Sequence, residues 1–347
     1  MPTADPAHHT RPARTARAVR TAGPARPARA RRAVRTATAV AAALGVLALS
    51  ACGAAETGKS QRAGTTDRTV VLTVPSWVGA QANTAVAEYL LENELGYDVK
   101  TQQLGGILAW DALSRGDIDA VLEDWGHPEE EKRYVEEKKT VARGGDLGVT
   151  GHIGWYVPKY FADAHPDVTD WKNLDEYAEE LATAESGGKG QILEGSPDYV
   201  THDEAIIRNL GLDLKPTYAG SEAAQITAIR KYAEEKKPFL TYWWTPQWLN
   251  EQVDLVEVKL PPHEEGCDAD PEEVACGYPR TPLRKFLNAD FAKNGGEAAE
   301  FLKNFTWTTE QQNEVAQMIA DRKLTPEAAA EKWVRANEAT WRTWLPG

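Results

Sequence analysis

The chain has 347 residues, of which 42% are hydrophobic and 26% are charged, a composition that supports one large or two ordinary globular domains and argues against global disorder. The formal net charge of -13 is unevenly distributed along the chain. Residues 1–52 hold nine arginines and one aspartate, whereas the rest of the chain is strongly acidic. So acidic a body repels phosphates, which disfavours nucleic acid as a partner and is otherwise explained by solubility.

The first fifty residues predict an export signal. Residues 1–36 are rich in Arg, Ala, Pro and Thr, and a short apolar run at 37–51 ends in small residues before Cys52. This order is typical of a secretory signal peptide over residues 1–52. Residues 49–52, Leu-Ser-Ala-Cys, resemble the lipobox of bacterial lipoproteins. That resemblance implies a lipidated Cys52 that anchors an extracytoplasmic protein to the outer face of the cell membrane. An ordinary secreted protein or a retained transmembrane anchor are the alternatives.

Residues 53–68 are small and polar, and they predict a flexible tether. Beyond Cys52, the cysteines are Cys267 and Cys276, in an acidic loop. Outside the cell, such a pair predicts a disulfide that closes a short loop. A metal site that includes His263 is the weaker interpretation, because two thiols and one imidazole at irregular spacing supply too few ligands.

Strands and helices alternate after the tether. Strands are predicted at 70–74, 98–101 and 116–122, with helices at about 80–95 and 107–114 between them. Such alternation predicts a largely parallel α/β sheet, on which ligands collect at the carboxyl ends of strands. Trp77 and Trp125 both lie just past predicted strands, so we expect a site there.

The pattern restarts near Gly151. It predicts strands at 152–157, 190–193 and 238–244, and helices at 171–182, 205–210 and 221–235. Three further helices are predicted near 284–304, 309–321 and 325–343. The last of these begins at Thr325, a good N-cap that is followed by proline in the first turn.

Aromatic residues at predicted strand ends and in loops are the most informative feature: Trp77, Trp125, Tyr199 and Trp244. Ring faces attract cations with about 0.5–2 kcal/mol per contact, and several rings can surround a methylated ammonium that has no hydrogen bond to donate. For any single ring, packing in a core or a domain interface is the alternative. A structural role is expected for the tryptophans on or beside predicted helices: Trp110, Trp171, Trp333, Trp341 and Trp344.

Three segments resemble the substrate-binding proteins of ABC transporters for glycine betaine, proline betaine and choline: VLEDWGHP at 121–128, WYVPKY at 155–160 and TYWWTPQW at 241–248. The resemblance implies an α/β periplasmic-binding-protein fold with two lobes, a hinge and a ligand in the cleft between the lobes. One lobe would hold 69–155 plus 246–347, and the other would hold 156–245. It also implies a monomer without cofactor or metal that delivers a quaternary ammonium ligand to a membrane permease.

The same resemblance assigns the rings of a ligand cage. Trp125 matches the cage tryptophan after the third strand, and Trp244 matches the one in the Trp-Thr-Pro motif. Tyr199 lies in a loop where relatives place another ring, and Trp77 matches a ring of the choline-binding branch. The resemblance therefore implies a cage of four aromatic side chains.

The neighbours of Tyr199 depart from the family pattern. Relatives surround the loop ring with small residues whose backbone amides bind a carboxylate, whereas here Thr201 and His202 follow. Thr201 and His202 are nevertheless expected to contribute to ligand binding, because amides at the start of the next helix could hold a ligand carboxylate at an end that carries partial positive charge. Asp198 and Asp203 would oppose it. The choice between glycine betaine, proline betaine and choline therefore stays open.

An enzyme is the competing interpretation. A secreted acidic protein rich in tryptophan could be a glycoside hydrolase with Glu123 and Asp124 as its carboxylates. Adjacent residues at a strand end point to opposite sides, however, and make a poor catalytic pair. The sequence also lacks G-x-S-x-G, H-E-x-x-H and a Walker loop. We therefore expect no catalysis. A lipoprotein of the same fold that binds an amino acid, ectoine or a polyol is a further alternative.

Overall fold

The computed structural model describes residues 68–199 and 201–347. The predicted signal peptide over 1–52, its lipobox with Cys52, and all but the last residue of the predicted tether lie outside the described residues. Within the described part, no helix combines the length and the apolar character that a membrane crossing requires.

A mixed sheet runs through the described residues. Its strands are β1 (Thr69–Thr73), β2 (Asp98–Gln102), β3 (Ala120–Asp124), β4 (Val141–Pro158), β5 (Gly190–Glu194), β6 (Leu214–Tyr218), β7 (Leu240–Thr245), β8 (Leu255–Val258) and β9 (Arg280–Asn288). Neighbours follow the order β2-β1-β3-β9-β4-β7-β5-β6, and β8 pairs with β4. Strand β1 pairs in parallel with β2 and β3, as β5 does with β6 and β7. The antiparallel strands β9 and β4 join these two parallel groups.

Strand β4 connects the two halves of the sheet. Its first part pairs with β9, and its last part pairs with β7 and β8. The ladder with β9 is irregular between Asp146 and Thr150, where Gly148 adopts a φ of 93°. A Cβ at Gly148 would lie 2.5 Å from the carbonyl oxygen of Trp307, so only glycine fits there. The predicted strand at 152–157 is thus the end of a much longer strand.

Helices cover the sheet. They are α1 (Val78–Asn93), α2 (Gly106–Arg115), α3 (Pro128–Glu130), α4 (Lys159–Ala164), α5 (Ala178–Leu181), α6 (Asp203–Leu210), α7 (Glu222–Glu234), α8 (Ala289–Asn294), α9 (Gly296–Asn304), α10 (Thr309–Ala320), α11 (Pro326–Ala336) and α12 (Glu338–Trp341). The side chain of Thr325 accepts a hydrogen bond from the backbone N–H of Ala328 at 3.2 Å, so the predicted cap of α11 is present. Residues 171–177 form a 3-10 helix where a longer α-helix was expected.

Buried tryptophans pack the C-terminal helices onto the sheet. Trp333 stacks on Trp344 with ring centroids 5.9 Å apart and meets Trp307 edge-on at 5.6 Å. Trp341 is buried as well, and Trp110 is a buried residue of α2 whose ring packs against Phe286 of β9. Trp110, Trp333, Trp341 and Trp344 are therefore core residues, as predicted, whereas Trp171 is only half-buried. Replacing such a buried ring by alanine costs about 3–5 kcal/mol of stability.

The helix predicted over 284–304 is wrong at its start. Strand β9 continues to Asn288, and the helices α8 and α9 begin only afterwards. Hydrogen bonds to β3 on one side and β4 on the other hold this segment extended, and such pairing outweighs local helix propensity. The sequence pattern also missed β6 and β8. Strand β6 contains Pro216, which is tolerated because β6 lies at the edge of the sheet, and β8 has only four residues.

Candidate functional site

The four predicted cage rings lie at the carboxyl ends of the parallel strands. Trp77 follows β1, Trp125 follows β3, Tyr199 lies in the loop between β5 and α6, and Trp244 lies near the end of β7. Trp244 is buried, and the other three rings are half-buried. Half-buried rings at this edge are suited to form the walls of a ligand site.

Tyr199 meets two of the other cage rings almost at right angles. The centroid of Tyr199 lies 6.4 Å from that of Trp77 with an interplanar angle of 78°, and 5.8 Å from that of Trp244 with an angle of 88°. Tyr242, which the sequence did not single out, lies 6.3 Å from Tyr199. Rings at right angles form adjoining walls, so a cation beside them meets more than one aromatic surface.

The carboxylate of Glu123 ties two tryptophans together. Its Oε1 accepts hydrogen bonds from Nε1 of Trp77 at 2.5 Å and from Nε1 of Trp125 at 2.8 Å. Its Oε2 accepts from Nε2 of Gln312 at 2.7 Å and from Nδ2 of Asn83. Burial raises the pKa of the Glu123 carboxyl, and these four hydrogen bonds oppose the rise. Four N–H donors around one carboxyl group suit its charged form, which places negative charge beside the rings.

Gly151 in β4 makes room for Trp125. A Cβ at Gly151 would lie 2.4 Å from Cζ3 of the Trp125 indole and 2.9 Å from Cδ2 of Leu283. Contacts that short do not occur for real side chains, and the neighbours here are a ring and a buried leucine. The absence of a side chain at Gly151 therefore allows the indole to lie against β4.

Glu222, in the first turn of α7, binds the two segments that carry Trp77 and Trp244. Its Oε2 accepts a hydrogen bond from the backbone N–H of Val78 at 2.7 Å, and its Oε1 accepts one from Nε2 of Gln247 at 2.5 Å. Val78 begins α1, and Gln247 belongs to the segment that carries Trp244, so Glu222 joins two ring-bearing segments. Burial raises the pKa of Glu222 to about 7; the two hydrogen bonds lower it and the charge of Glu123 raises it.

Thr201 and His202 lie half-buried at the start of α6. The backbone N–H of His202 donates to Oη of Tyr278 at 2.9 Å, and the two rings stack with centroids 6.0 Å apart. Tyr278 in turn lies 6.1 Å from Tyr242. The His202 amide thus has a hydrogen-bond partner within the protein. The imidazole ring of His202 is separated from Tyr199 by the rings of Tyr278 and Tyr242.

A pair of buried carboxyl groups flanks the loop that carries Tyr199. Glu194 ends β5 and Asp203 begins α6, and both are fully buried. Oδ1 of Asp203 accepts hydrogen bonds from Nε1 of Trp155 and Oη of Tyr278, each at 2.7 Å. Burial and the neighbouring Asp203 raise the pKa of Glu194, so the pair retains a proton at neutral pH. These two carboxyl groups disfavour the carboxylate of a ligand nearby.

The carboxyls of Glu123 and Asp124 point into different surroundings, as expected for adjacent residues at a strand end. Oδ2 of Asp124 accepts a hydrogen bond from Nε1 of Trp110 at 2.9 Å and lies 2.7 Å from Nδ1 of His127. Glu123 contacts the ring cluster instead. The two carboxyls therefore do not converge on one substrate atom, which opposes their use as an acid and nucleophile.

The cysteine loop lies closed by a disulfide between Cys267 and Cys276, whose Cα atoms are 6.3 Å apart. His263, Cys267 and Asp268 offer ligand atoms within 4.8 Å of one another. The sulfur of Cys267 is consumed in the disulfide, however, and only a thiolate binds metal well. His263 and Asp268 alone are fewer ligands than a structural zinc site uses.

The sequence did not predict the polar residues that bind the rings, Glu123 or the ring-bearing segments: Asn83, Glu222, Gln247 and Gln312. Glu123 was considered only as a catalytic carboxylate. Gln312 is 189 positions from Glu123, and Glu222 is 144 positions from Val78. A glutamate in the first turn of a helix is an ordinary feature in sequence, so nothing local marked Glu222 as a site residue. The only available signal was that Glu123 lies at a strand end beside Trp125.

Comparison with known proteins identifies the family. Residues 68–336 match the substrate-binding domain of ABC-type glycine betaine transport systems. The chain therefore belongs to this family of transport binding proteins, which work outside the cytoplasm, as the resemblance of the three segments predicted.

Two relatives illustrate the similarity in sequence. The chain is 30% identical over 226 residues to a trimethylamine N-oxide-binding protein of Pelagibacter ubique, covering 63% of this chain and 66% of the relative. It is 31% identical over 127 residues to a glycine betaine/carnitine transport binding protein of Listeria monocytogenes, covering 37% and 38%. The matched regions thus span less than two thirds of either relative.

Solved structures agree on the fold. Lactococcal OpuAC in a closed form with glycine betaine superposes with a TM-score of 0.63 at 22% identity, covering 81% of this chain and all of that one. The ProX protein of Borrelia burgdorferi superposes with a TM-score of 0.65 at 17% identity, covering 80% and 97%. The predicted α/β, two-lobed periplasmic-binding-protein fold is confirmed.

Proposed function

We propose that this protein captures a small quaternary ammonium compound outside the cytoplasm and delivers it to the permease of an ABC importer. Glycine betaine is the first candidate, with proline betaine and choline next. Trimethylamine N-oxide joins them because a relative is named for binding it. The protein acts as a binding protein and not as an enzyme.

One arrangement carries the proposal: Tyr199 meets Trp77 and Trp244 at nearly right angles, while Glu123 holds Trp77 and Trp125 by their indole N–H groups. Aromatic faces and a nearby carboxylate favour a positive charge, and a methylated nitrogen needs no hydrogen-bond acceptor. An amino acid, ectoine or a polyol would instead require polar groups directed at its amine or hydroxyls. The arrangement therefore supports the quaternary ammonium class.

We propose that the two lobes follow the predicted division, 69–155 plus 246–347 and 156–245, with one adjustment. Strand β8 pairs with the end of β4, and Val274 and Cys276 of the cysteine loop share a buried cluster with Val157 and Phe161 of the second lobe. Residues 255–279 therefore belong with the second lobe. Limited hinge motion between the lobes would admit the ligand, and the protein would act as a monomer.

Anchoring by a lipid on Cys52 completes the proposal. A mature protein that begins at Cys52 would stay at the outer face of the membrane, close to the permease. Cys52→Ser should release the protein from the membrane fraction into the medium of a host that processes bacterial lipoproteins. Retention of the variant in the membrane fraction would contradict lipid anchoring without affecting the ligand proposal.

The deciding experiment is calorimetric titration of the soluble mature chain with glycine betaine, proline betaine, choline, trimethylamine N-oxide, ectoine and proline. We expect a quaternary ammonium or N-oxide ligand to bind below millimolar concentration, a free energy beyond about -4 kcal/mol. Tighter binding of ectoine or proline than of every methylated ligand would refute the proposal.

Ring substitutions test the site itself. Tyr199→Ala should weaken binding roughly tenfold or more, because it removes about 1–2 kcal/mol of contact with the cation. Tyr199→Phe is the matched control: within the described residues the Tyr199 hydroxyl has no hydrogen-bond partner, and the ring is kept. Trp77→Ala, Trp125→Ala and Trp244→Ala should behave like Tyr199→Ala. Equal affinity of the alanine and phenylalanine variants at 199 would exclude Tyr199 from the cage.

A further inference from the structure

Glu222 lies where the two predicted lobes meet. It begins α7 in the second lobe, yet its Oε2 accepts the backbone N–H of Val78 at the start of α1 in the first lobe, at 2.7 Å. Gln247 holds the other carboxyl oxygen at 2.5 Å. Glu222 is buried, so this contact is screened from water. A carboxylate at a helix start also profits from the positive end of α1, which it caps.

The same carboxyl group lies beside the proposed cage. Val78 directly follows Trp77, and Trp77 lies 6.4 Å from Tyr199. The charge of Glu222 acts on the hydroxyl of Tyr199, whose pKa burial and Glu222 both raise. Glu222 thus forms a hydrogen bond between the predicted lobes and acts electrostatically on Tyr199 of the proposed cage.

We propose that Glu222 is a positioning residue that couples the positive charge of the ligand to closure of the two lobes. A cation beside the rings stabilises the charged form of Glu222, and the charged form is the stronger acceptor for the Val78 N–H. A ligand with a positive charge therefore strengthens the hydrogen bond that holds the lobes together. This inference rests on the proposed function.

The charges around Glu222 set the sign of its pH dependence. Glu123 on β3 is the carboxyl that faces it, and Tyr199 is the titratable group of the loop after β5; the contacts from α1 and from Gln247 are uncharged. With its hydrogen bonds to Val78 and Gln247 formed, burial raises the pKa of Glu222 to about 7. Because a nearby cation favours the charged form, cation binding to this arrangement should strengthen as the pH rises through about 7 and should release protons.

The test uses choline, or glycine betaine if that binds more tightly. For the wild type, Kd should fall about fivefold or more between about pH 6 and about pH 8, as expected when binding favours one ionised group. Glu222→Gln keeps an acceptor of the same shape, and its Kd should match the wild type near pH 6 and change by less than about twofold up to pH 8. Glu234→Gln, at the exposed far end of the same helix, should behave as the wild type.

A second measurement needs no variant. Titrations near pH 7 in buffers of different ionisation enthalpy should show release of roughly half a proton on binding to the wild type. A wild type that binds choline without pH dependence or proton release would overturn the inference, as would a Glu222→Gln protein that keeps both. Failure of the wild type to bind any methylated ligand would instead refute the proposed function.

Discussion

Replacing Glu123 by glutamine should loosen the aromatic cluster and destabilise the fold. The carboxylate accepts four hydrogen bonds, two from indole N–H groups and two from the amides of Asn83 and Gln312. A glutamine oxygen can keep the two indoles, but its NH2 group then faces two donors. Each hydrogen bond to a charged group contributes about 1.5–3 kcal/mol, so the gross loss is about 3–6 kcal/mol.

Part of that loss is offset because the buried charge also disappears. Burial raises the pKa of Glu123, which shows that the charge is costly where it lies. We therefore expect a net loss of about 2–4 kcal/mol in the free energy of unfolding, which lowers Tm by roughly 4–16 °C for a domain of this size. Because Trp77 and Trp125 also lose their fixed orientation, Kd for the best methylated ligand should rise about tenfold or more.

Thermal unfolding and calorimetric titration of Glu123→Gln test both parts. Glu129→Gln, an exposed position on α3, is the matched control and should leave Tm and Kd unchanged. If Glu123→Gln kept the wild-type Tm and affinity, the carboxylate would not be holding the rings. A lower Tm with unchanged affinity would limit Glu123 to a role in stability.

Three further outcomes are expected. Gly151→Ala should displace the Trp125 indole, lowering stability by about 1–3 kcal/mol and weakening ligand binding; wild-type values in melting and titration would contradict the close packing. Glu194→Gln should be more stable than the wild type near pH 8 but not near pH 4.5 in urea titrations. The folded protein keeps a proton on Glu194 that the unfolded chain releases above its ordinary pKa, so wild-type stability falls as the pH rises by up to about 1.4 kcal/mol per unit. A loss of stability at both pH values would refute this. Replacing Cys267 and Cys276 by serine should cost about 2–3 kcal/mol of unfolding free energy for a loop with a separation of nine residues, and an unchanged urea midpoint would contradict it.

Local patterns predicted the elements where the sequence is periodic and its boundaries are marked. The strand-helix alternation before Gly151 and the capped helix at Thr325 agree with the structure because those signals act within a few residues. The segment 284–288 shows the opposite case. Its extended conformation depends on partners in β3 and β4, distant in the chain, which no local pattern describes.

By itself, the sequence determined the class of fold and the family, because strand-helix alternation and tryptophan-containing motifs are local features. It also determined that the four rings lie at the carboxyl ends of strands, because each ring closely follows, or lies near the end of, a strand that local residues specify. Only the tertiary structure decided how those rings are held. Glu123 binds two of the indoles, Gln312 binds Glu123, and Glu222 binds the backbone next to Trp77, although these residues lie far apart in the chain. Hydrogen bonds between such segments depend on distances of about 3 Å that folding alone creates. The tertiary structure also decided the role of the loop around Thr201 and His202. The sequence left the His202 amide as a candidate to bind a ligand carboxylate, whereas in the folded chain this amide donates to the Tyr278 hydroxyl.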